Sequence, residues 1–400
     1  MKKIKVLRII ARLNIGGPAI HTVLLSAYLD KNRFDTILVA GSVSPDEGDM
    51  AYYAAQHNVR PYYIPALKRD LNIFDDFSAF LTLFFLIKKE RPAIVHTHTA
   101  KAGTLGRAAA ILYNALGFYT GKRVILVHTF HGHVFSGYFS RTKTRVFTLI
   151  ERILAFFTGT IITVSESVKE ELSSLRIARP EKIRVIPLGF ELEGFLKLTP
   201  EQKQGPFRIG IVGRLVPIKN HRLFLDAAAK VLENRGDEVC FKIIGDGELR
   251  SELMSYAQKL GIKQSVEFPG WERDLRGVYA ALDVVALTSF NEGTPVSLIE
   301  AMAAARAIVA TDVGGVRDLL GALTNEREEA GCRFKILERG ILVASGDSDG
   351  FAAALAYLIA NSEIRQRLGR QARDFASVMF RKERLIADIT HVYESIVGYK

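Results

Sequence analysis

The chain has 400 residues, 48% hydrophobic and 24% charged, a balance that suits a globular protein long enough for two domains. Its net charge of +11 is unevenly held: residues 1–190 carry 26 Lys and Arg against 14 Asp and Glu, and the rest is close to neutral. A basic half favours an anionic partner such as a membrane surface, nucleic acid or a phosphorylated substrate. Cys240 and Cys332 give no disulfide framework and no metal spacing, and suit a reducing compartment. No run approaches the roughly 18 apolar residues of a spanning helix. Lys5 and Arg8 interrupt the apolar part of MKKIKVLRII, so the start reads as a strand, not a signal peptide, and the expected location is cytoplasmic.

Taken in order, IKVLRII (4–10) reads as a buried strand, followed by a Gly16-Gly17-Pro18 loop and a helical pattern from His21 to Leu29. TILVAG (36–41) is a strand, 49–57 a helix, Val59–Ile64 a strand and Phe74–Lys89 a helix. Strands AIVHTHT (93–99), VILVHTFHGH (124–133), TIITVSE (160–166) and IRVIPLGF (183–190) continue the alternation, with a helix over 140–157 and Ser165 placed to cap the next one. Alternation of this kind builds a parallel sheet covered on both faces, with ligands beyond the carboxyl ends of its strands. Gly16, Gly17, His98 and Lys101 fall at such ends.

Residues 191–205 are poor in apolar side chains and read as a linker. The alternation restarts with strands at 207–215, 240–247, 266–270, 283–289, 307–315 and 340–347. Helices are expected from Asn220 to Asn234 and over 248–260, 273–281, 351–360, 363–376 and 381–397, and the charged segment 321–338 reads as a surface insertion. The expected organisation is an α/β domain over 1–190, the linker, a second α/β domain over 206–376 and a final helical segment over 377–400, with a cleft between the domains as the default site.

The second half is organised around Asn291-Glu292-Gly293-Thr294-Pro295, which joins the strand DVVALTS to an Ala-rich helix. Thr294 suits the N-cap and Pro295 the first helical position. A helix N-terminus offers free N–H groups and partial positive charge, hence an anion site. Glu292 in the turn and Glu300 in the helix bracket it, which suits a ligand with a phosphate in the middle and hydroxyls at both ends. Arg214 and Lys219, in GRLVPIKN (213–220), are cations able to clamp a diphosphate. Gly245 and Gly247 let the backbone approach a nucleotide closely. A G-x-G-x-x-G fingerprint is missing after the first strand of either half, which argues against a dinucleotide.

Five of nine histidines lie between 96 and 133. Polar strand ends account for them; His96, His98, His131 and His133 also make a zinc set, and with it a zinc-dependent hydrolase, a reading to be weighed. The apolar-basic helices at 77–89 and 140–157 suit either a core with a solvated face or a membrane surface.

Glu292 and Glu300 match the E-x7-E motif of retaining glycosyltransferases of family 4, and the chain resembles that family from Gly16 to its last helix. The resemblance implies a GT-B fold, two Rossmann-like doubly wound domains facing a cleft, with the final helix crossing back to the first domain. It implies that Glu292 contacts the donor sugar and Glu300 the ribose, and that Arg214 and Lys219 hold the donor phosphates. Gly213, Gly245, Gly293, Thr294 and Pro295 join them at the donor, as do Gly16 and Gly17, which in the family approach the leaving phosphate and the acceptor. His131, in TFHGH, matches the strand-end histidine near the reacting sugar, in preference to His133. HTHTAKAGTLGRAAA (96–110) with HTFHGHVF (128–135) resembles bacterial members that build surface glycans on lipid carriers, which makes His98, Lys101 and Arg107 expected acceptor contacts. The expected reaction transfers a sugar from a nucleoside diphosphate sugar, UDP-linked by preference, to a glycan or polyprenyl-phosphate-linked acceptor. No cofactor, no metal and no nucleic acid are expected, and peripheral contact with an anionic membrane is. Arg317-Asp318 stands where many members carry Pro-Glu. A silent nucleotide-sugar-binding protein is the remaining alternative.

Overall fold

The computed structural model describes residues 3–43, 48–68, 70–117, 123–132, 141–199, 205–324 and 333–398. The chain divides into two compact units: Met1–Phe190 with Lys382–Lys400, and Glu191–Arg381.

In the first unit strands and helices alternate: β1 (Ile4–Arg12), α1 (Gly17–Tyr28), β2 (Phe34–Gly41), α2 (Ala51–Gln56), β3 (Tyr62–Ile64), α3 (Ile73–Glu90), β4 (Ile94–His98), α4 (Ala100–Leu116), β5 (Ile125–Phe130), α5 (Arg141–Phe157), β6 (Thr160–Thr163), α6 (Glu166–Ser174) and β7 (Ile183–Val185). The strands lie in the order β3-β2-β1-β4-β5-β6-β7 and all pairs are parallel. Strand order reverses between β1 and β4, which makes a crevice at their carboxyl ends. β1 is buried almost throughout, because helices cover both faces of a parallel sheet. Local chemistry sets the helix ends. Asn72 accepts hydrogen bonds from the N–H groups of Phe74 and Asp75 to start α3, and Lys88 and Lys89 complement its last turn.

The second unit runs α7 (Glu193–Leu196), β8 (Phe207–Val212), α8 (His221–Arg235), β9 (Val239–Ile244), α9 (Arg250–Lys259), β10 (Val266–Gly270), α10 (Leu275–Ala281), β11 (Val284–Leu287), α11 (Val296–Ala303), β12 (Ala307–Thr311), α12 (Val316–Leu320), β13 (Phe334–Leu337), β14 (Gly340–Val343), α13 (Ser348–Ala360) and α14 (Ser362–Met379). Its sheet has the order β10-β9-β8-β11-β12-β14-β13. The last strand is antiparallel to β14, so part of the expected 321–338 insertion is a hairpin arm of the sheet. Phe334, Ile336 and Leu337 are buried there, and the alternation FKIL carries the strand signal that the surrounding charges mask. The expected linker 191–205 includes α7, which belongs to this unit.

The last helix, α15 (Lys382–Val397), returns to the first unit. Leu385, Ile389, Val392 and Tyr393 share a core with Ile4, Val6, Leu25 and Ile94. Tyr393 also enters a buried polar network. Its hydroxyl accepts from Arg8 Nη2 at 3.1 Å and meets His96 Nδ1 at 2.6 Å, while His96 Nε2 meets Thr129 Oγ1 at 2.8 Å.

Candidate active site

The turns after β8, β9 and β11 converge at the carboxyl edge of the second sheet. Gly245 takes φ +134°, and a Cβ there would lie 2.0 Å from the carbonyl oxygen of Gly213. Only glycine lets those two turns pack backbone to backbone. The aliphatic end of Lys219 lies over Gly213, with Cε 3.9 Å from the position of an added Cβ. Thr288 Oγ1 donates to the Lys219 carbonyl at 2.9 Å and the Phe290 N–H to the Ile218 carbonyl at 2.8 Å, which ties the lysine turn to the end of β11.

Lys219 Nζ donates to Glu292 Oε1 at 2.5 Å, and Ser289 Oγ donates to the same oxygen at 2.6 Å. Both charged side chains are mostly buried, at 23% and 10% exposure, so the pair is held in a medium less screening than water. Arg214 is half-buried and has no side-chain hydrogen bond or ion pair among the described residues. α11 begins at Val296 with Pro295 as its N-cap, not Thr294 as expected. Proline supplies no capping oxygen, and the buried Thr294 hydroxyl has no partner among the described residues. The first turn of α11 is therefore uncapped by any side chain, beside Gly293 and the Lys219–Glu292 pair.

Glu300 is one turn further in. The fully buried Tyr279 hydroxyl donates to its Oε2 at 2.8 Å and lies 3.1 Å from the Ser297 carbonyl. Burial raises the Glu300 carboxyl to about 7, and the bond from Tyr279 works against that shift by favouring the ionised form. Sequence reasoning missed both Tyr279 and Ser289. Tyr279 sits in the helix before β11 and reads as an ordinary core aromatic; Ser289 reads as one of several small polar residues at a strand end.

In the first unit His21, His98 and His131 bring ring nitrogens within 4.8 Å of one another. His98 Nδ1 meets His131 Nε2 at 3.0 Å, and His98 Nε2, His131 Nδ1 and both nitrogens of His21 have no partner among the described residues. Burial is the main reason why all three are harder to protonate than a free imidazole, with His131 lowered to about 3. At neutral pH they are uncharged. His21 was not a candidate, because nothing in the spacing of a lone helical histidine marks it as a neighbour of residues 98 and 131. Gly16, at φ +154°, precedes α1 and is half-buried, and Gly17 is buried.

The alternative zinc set loses His96. His96 uses both nitrogens on Tyr393 and Thr129, and His133 lies outside the described residues. Arg107 is a second correction. It is fully buried and donates to both Glu151 oxygens at 2.8 and 2.6 Å, so it has no face for an acceptor phosphate. The small residues around it serve packing: a Cβ at Gly103 would lie 2.5 Å from His128 Cε1, and one at Gly106 2.8 Å from Thr97 Cγ2. Lys101 is held by the Asp76 carboxylate and the Asp70 carbonyl.

Residues 199–375 match the family model described as glycosyl transferases group 1, and residues 15–193 match glycosyltransferase family 4. A curated relative from Escherichia coli, UDP-Gal:alpha-D-GlcNAc-diphosphoundecaprenol alpha-1,3-galactosyltransferase, is 30% identical over 339 residues, covering 82% of this chain and 80% of its own. The chain belongs to glycosyltransferase family 4. This glycosyltransferase is also 26% identical over 391 residues to the capsular polysaccharide biosynthesis glycosyltransferase CapM of Staphylococcus aureus, with 92% of each chain covered. Its fold is that of HepE from Anabaena, solved with UDP and glucose, at TM-score 0.77 and 20% identity over 98% of this chain and all of that one. Two parallel-sheet units of this kind are the GT-B architecture expected from the sequence. Neither the zinc hydrolase nor the silent binding protein is favoured.

Proposed function

We propose that the glycosyltransferase takes its sugar from a UDP-sugar and passes it, with retention and without a metal, to a hydroxyl of a glycan on a polyprenyl diphosphate in bacterial surface polysaccharide synthesis. The observation that carries this reading is the buried Lys219–Glu292 pair beside the uncapped first turn of α11. Without donor the two charges satisfy each other. An arriving diphosphate offers Lys219 a stronger anion, with Arg214 and the N–H groups of α11 as further donors, and frees Glu292 to accept from sugar hydroxyls. Glu300, steadied by Tyr279, accepts from the ribose hydroxyls. Gly213, Gly245, Gly293, Thr294 and Pro295 shape the backbone around the nucleotide.

As the bond from the anomeric carbon to the diphosphate oxygen breaks, negative charge grows on that oxygen, where Lys219, Arg214 and the helix terminus stabilise it. The acceptor oxygen bonds to the same face of the anomeric carbon, and its proton passes to the leaving phosphate. Those fixed donors supply the charge that a divalent cation supplies elsewhere. His131, neutral at pH 7, donates a hydrogen bond to the donor sugar, and His98 and Lys101 lie on the acceptor side. The names of the Escherichia coli and Staphylococcus aureus relatives support the acceptor class.

The acceptor class implies work at the cytoplasmic face of the membrane. No helix among the described residues is long and apolar enough to cross it. α5 instead exposes Arg145, Val146, Leu149, Arg152, Ile153 and Phe156 along one stripe, with Phe156 76% exposed. Leu149, Ile153 and Phe156 would each contribute about 2 kcal/mol on insertion, and each arginine about 1 kcal/mol against anionic lipid.

Replacing Lys219 or Glu292 by Ala should lower kcat by about 100-fold or more. The folded protein should be stabilised by UDP and by one UDP-sugar, equally with and without EDTA. Near-normal turnover in Lys219→Ala, or activity abolished by EDTA, would refute the donor assignment or the metal-free mechanism respectively. Cosedimentation with phosphatidylglycerol vesicles should be lost in Leu149→Glu/Ile153→Glu; unchanged binding would refute the α5 contact.

A further inference from the structure

The first unit has a second concave surface, at the opposite end of its strands from Gly16 and His98. α5 ends as the chain enters β6, and α6 ends shortly before β7, so both helix C-termini lie at the amino edge of the sheet. The groove there is lined by Arg152, Arg176, Arg179 and Lys182, with Phe156 and Ile177 among its apolar walls, and no carboxylate lines it.

The plain account of these cations is that they neutralise two helix ends. Part of it holds. Lys182 Nζ donates to the carbonyls of Ala155, Phe156 and Thr158 at 3.3, 3.0 and 3.2 Å, and Arg152 donates Nε and Nη2 to the Leu175 carbonyl at 3.1 and 2.7 Å. The charges do not balance, however. Two helix C-termini carry roughly half a negative charge each, against four full positive ones. The nearest acid on α5, Glu151, is turned inward to Arg107. The side chains of Arg176 and Arg179 are exposed and have no hydrogen bond or ion pair among the described residues. Arg176 also takes φ +50° just past α6, where glycine or asparagine is the usual occupant and another residue costs about 1 kcal/mol. Its backbone position gives no reason for an arginine.

We propose that this groove binds the phosphate of an anionic lipid. Arg176 and Arg179 take the phosphate oxygens, Arg152 and Lys182 supply fixed positive charge behind them, and Phe156 and Ile177 receive the apolar part next to the phosphate. The choice of a lipid over a free anion rests on the membrane-facing reading of α5: Arg152 and Phe156 belong both to its exposed stripe and to the groove wall. The site would add recognition of a phosphate headgroup to an otherwise nonspecific surface contact.

The test is a titration of the full chain, saturated with UDP so that the nucleotide site is occupied, with dihexanoyl phosphatidic acid below its micelle concentration. A monomeric lipid needs no membrane face, so this measurement stands even where vesicle binding fails, and vesicle binding tests the α5 stripe separately. One saturable site is expected, weakened at least tenfold in Arg176→Gln/Arg179→Gln, with inorganic phosphate binding at least tenfold more weakly than the lipid to the unaltered protein. Absence of saturable binding, or equal binding by the double variant, would overturn the groove as a phosphate site. Inorganic phosphate binding as tightly as the lipid would overturn the lipid as its ligand. Both arginines are exposed, so the variant is expected to fold, and its circular dichroism spectrum checks that.

Discussion

Lowering the pH from 7.5 to 5.5 should unfold the two units unequally. In the first unit His21, His96, His98 and His128 are at most 1% exposed, and burial holds each of them well below the ordinary imidazole pKa. They remain neutral in the folded chain, whereas in the unfolded chain they titrate near 6.5. The unfolded state therefore binds more protons below that value. The stability they contribute is complete above pH 6.5 and is lost as the pH falls toward their folded pKa values. At pH 5.5 each costs roughly 1 kcal/mol, and so does His131, lowered to about 3; the five together remove about 5 kcal/mol, a large part of the usual 5–15 kcal/mol. The second unit has one buried histidine, His221, lowered to about 4, which costs roughly 1 kcal/mol in the same window. Glu300 has the opposite sign. Its folded pKa of about 7 lies above the unfolded value, so its contribution is present at low pH and lost as the pH rises through 7. Discounted for its partial exposure, it returns about 1 kcal/mol on acidification, and the second unit stays nearly level. Trp271, the only tryptophan, reports on the second unit, and far-ultraviolet circular dichroism reports on both. Urea unfolding at pH 7.5, 6.5 and 5.5 should show a circular dichroism transition moving well ahead of the tryptophan transition. Parallel movement of the two, or no movement of either, would show that burial does not control these imidazoles.

Two further predictions concern side chains the motifs did not reveal. Tyr279→Phe removes a hydrogen bond to a carboxylate, worth about 1.5–3 kcal/mol, and should raise KM for the donor at least tenfold with a smaller change in kcat; an unchanged KM would separate Tyr279 from nucleotide binding. Glu151→Ala leaves the Arg107 guanidinium buried without its partner and should cost about 3–5 kcal/mol in urea unfolding, whereas a loss below about 1 kcal/mol would show that the pair is solvated.

The alternation of strand and helix was legible because parallel sheets demand it, and so was the placing of Lys219 and Glu292 in strand-end turns, where the structure pairs them. Residues whose meaning depends on a distant partner were not legible. Arg107 reads as a cation near a helix N-terminus until Glu151, 44 positions away, is seen to enclose it. His21 joins His98 and His131 only through the sheet. Thr294 looked like a cap because hydroxyl residues are the usual caps, but the chain turns one residue later, at Pro295. β13 was hidden by the charges that flank four residues of apolar alternation.

The junction of Tyr393 with Arg8 and His96 also sets an order of events during synthesis. The first 190 residues emerge from the ribosome long before α15 does, and everything from Glu191 to Arg381 must be made in between. Until Tyr393 arrives, the Arg8 guanidinium lacks one acceptor and Ile4, Val6 and Leu25 lack part of their cover. The unit translated first is therefore completed last, and the second unit, whose residues are contiguous, can close while the first still waits for its final helix.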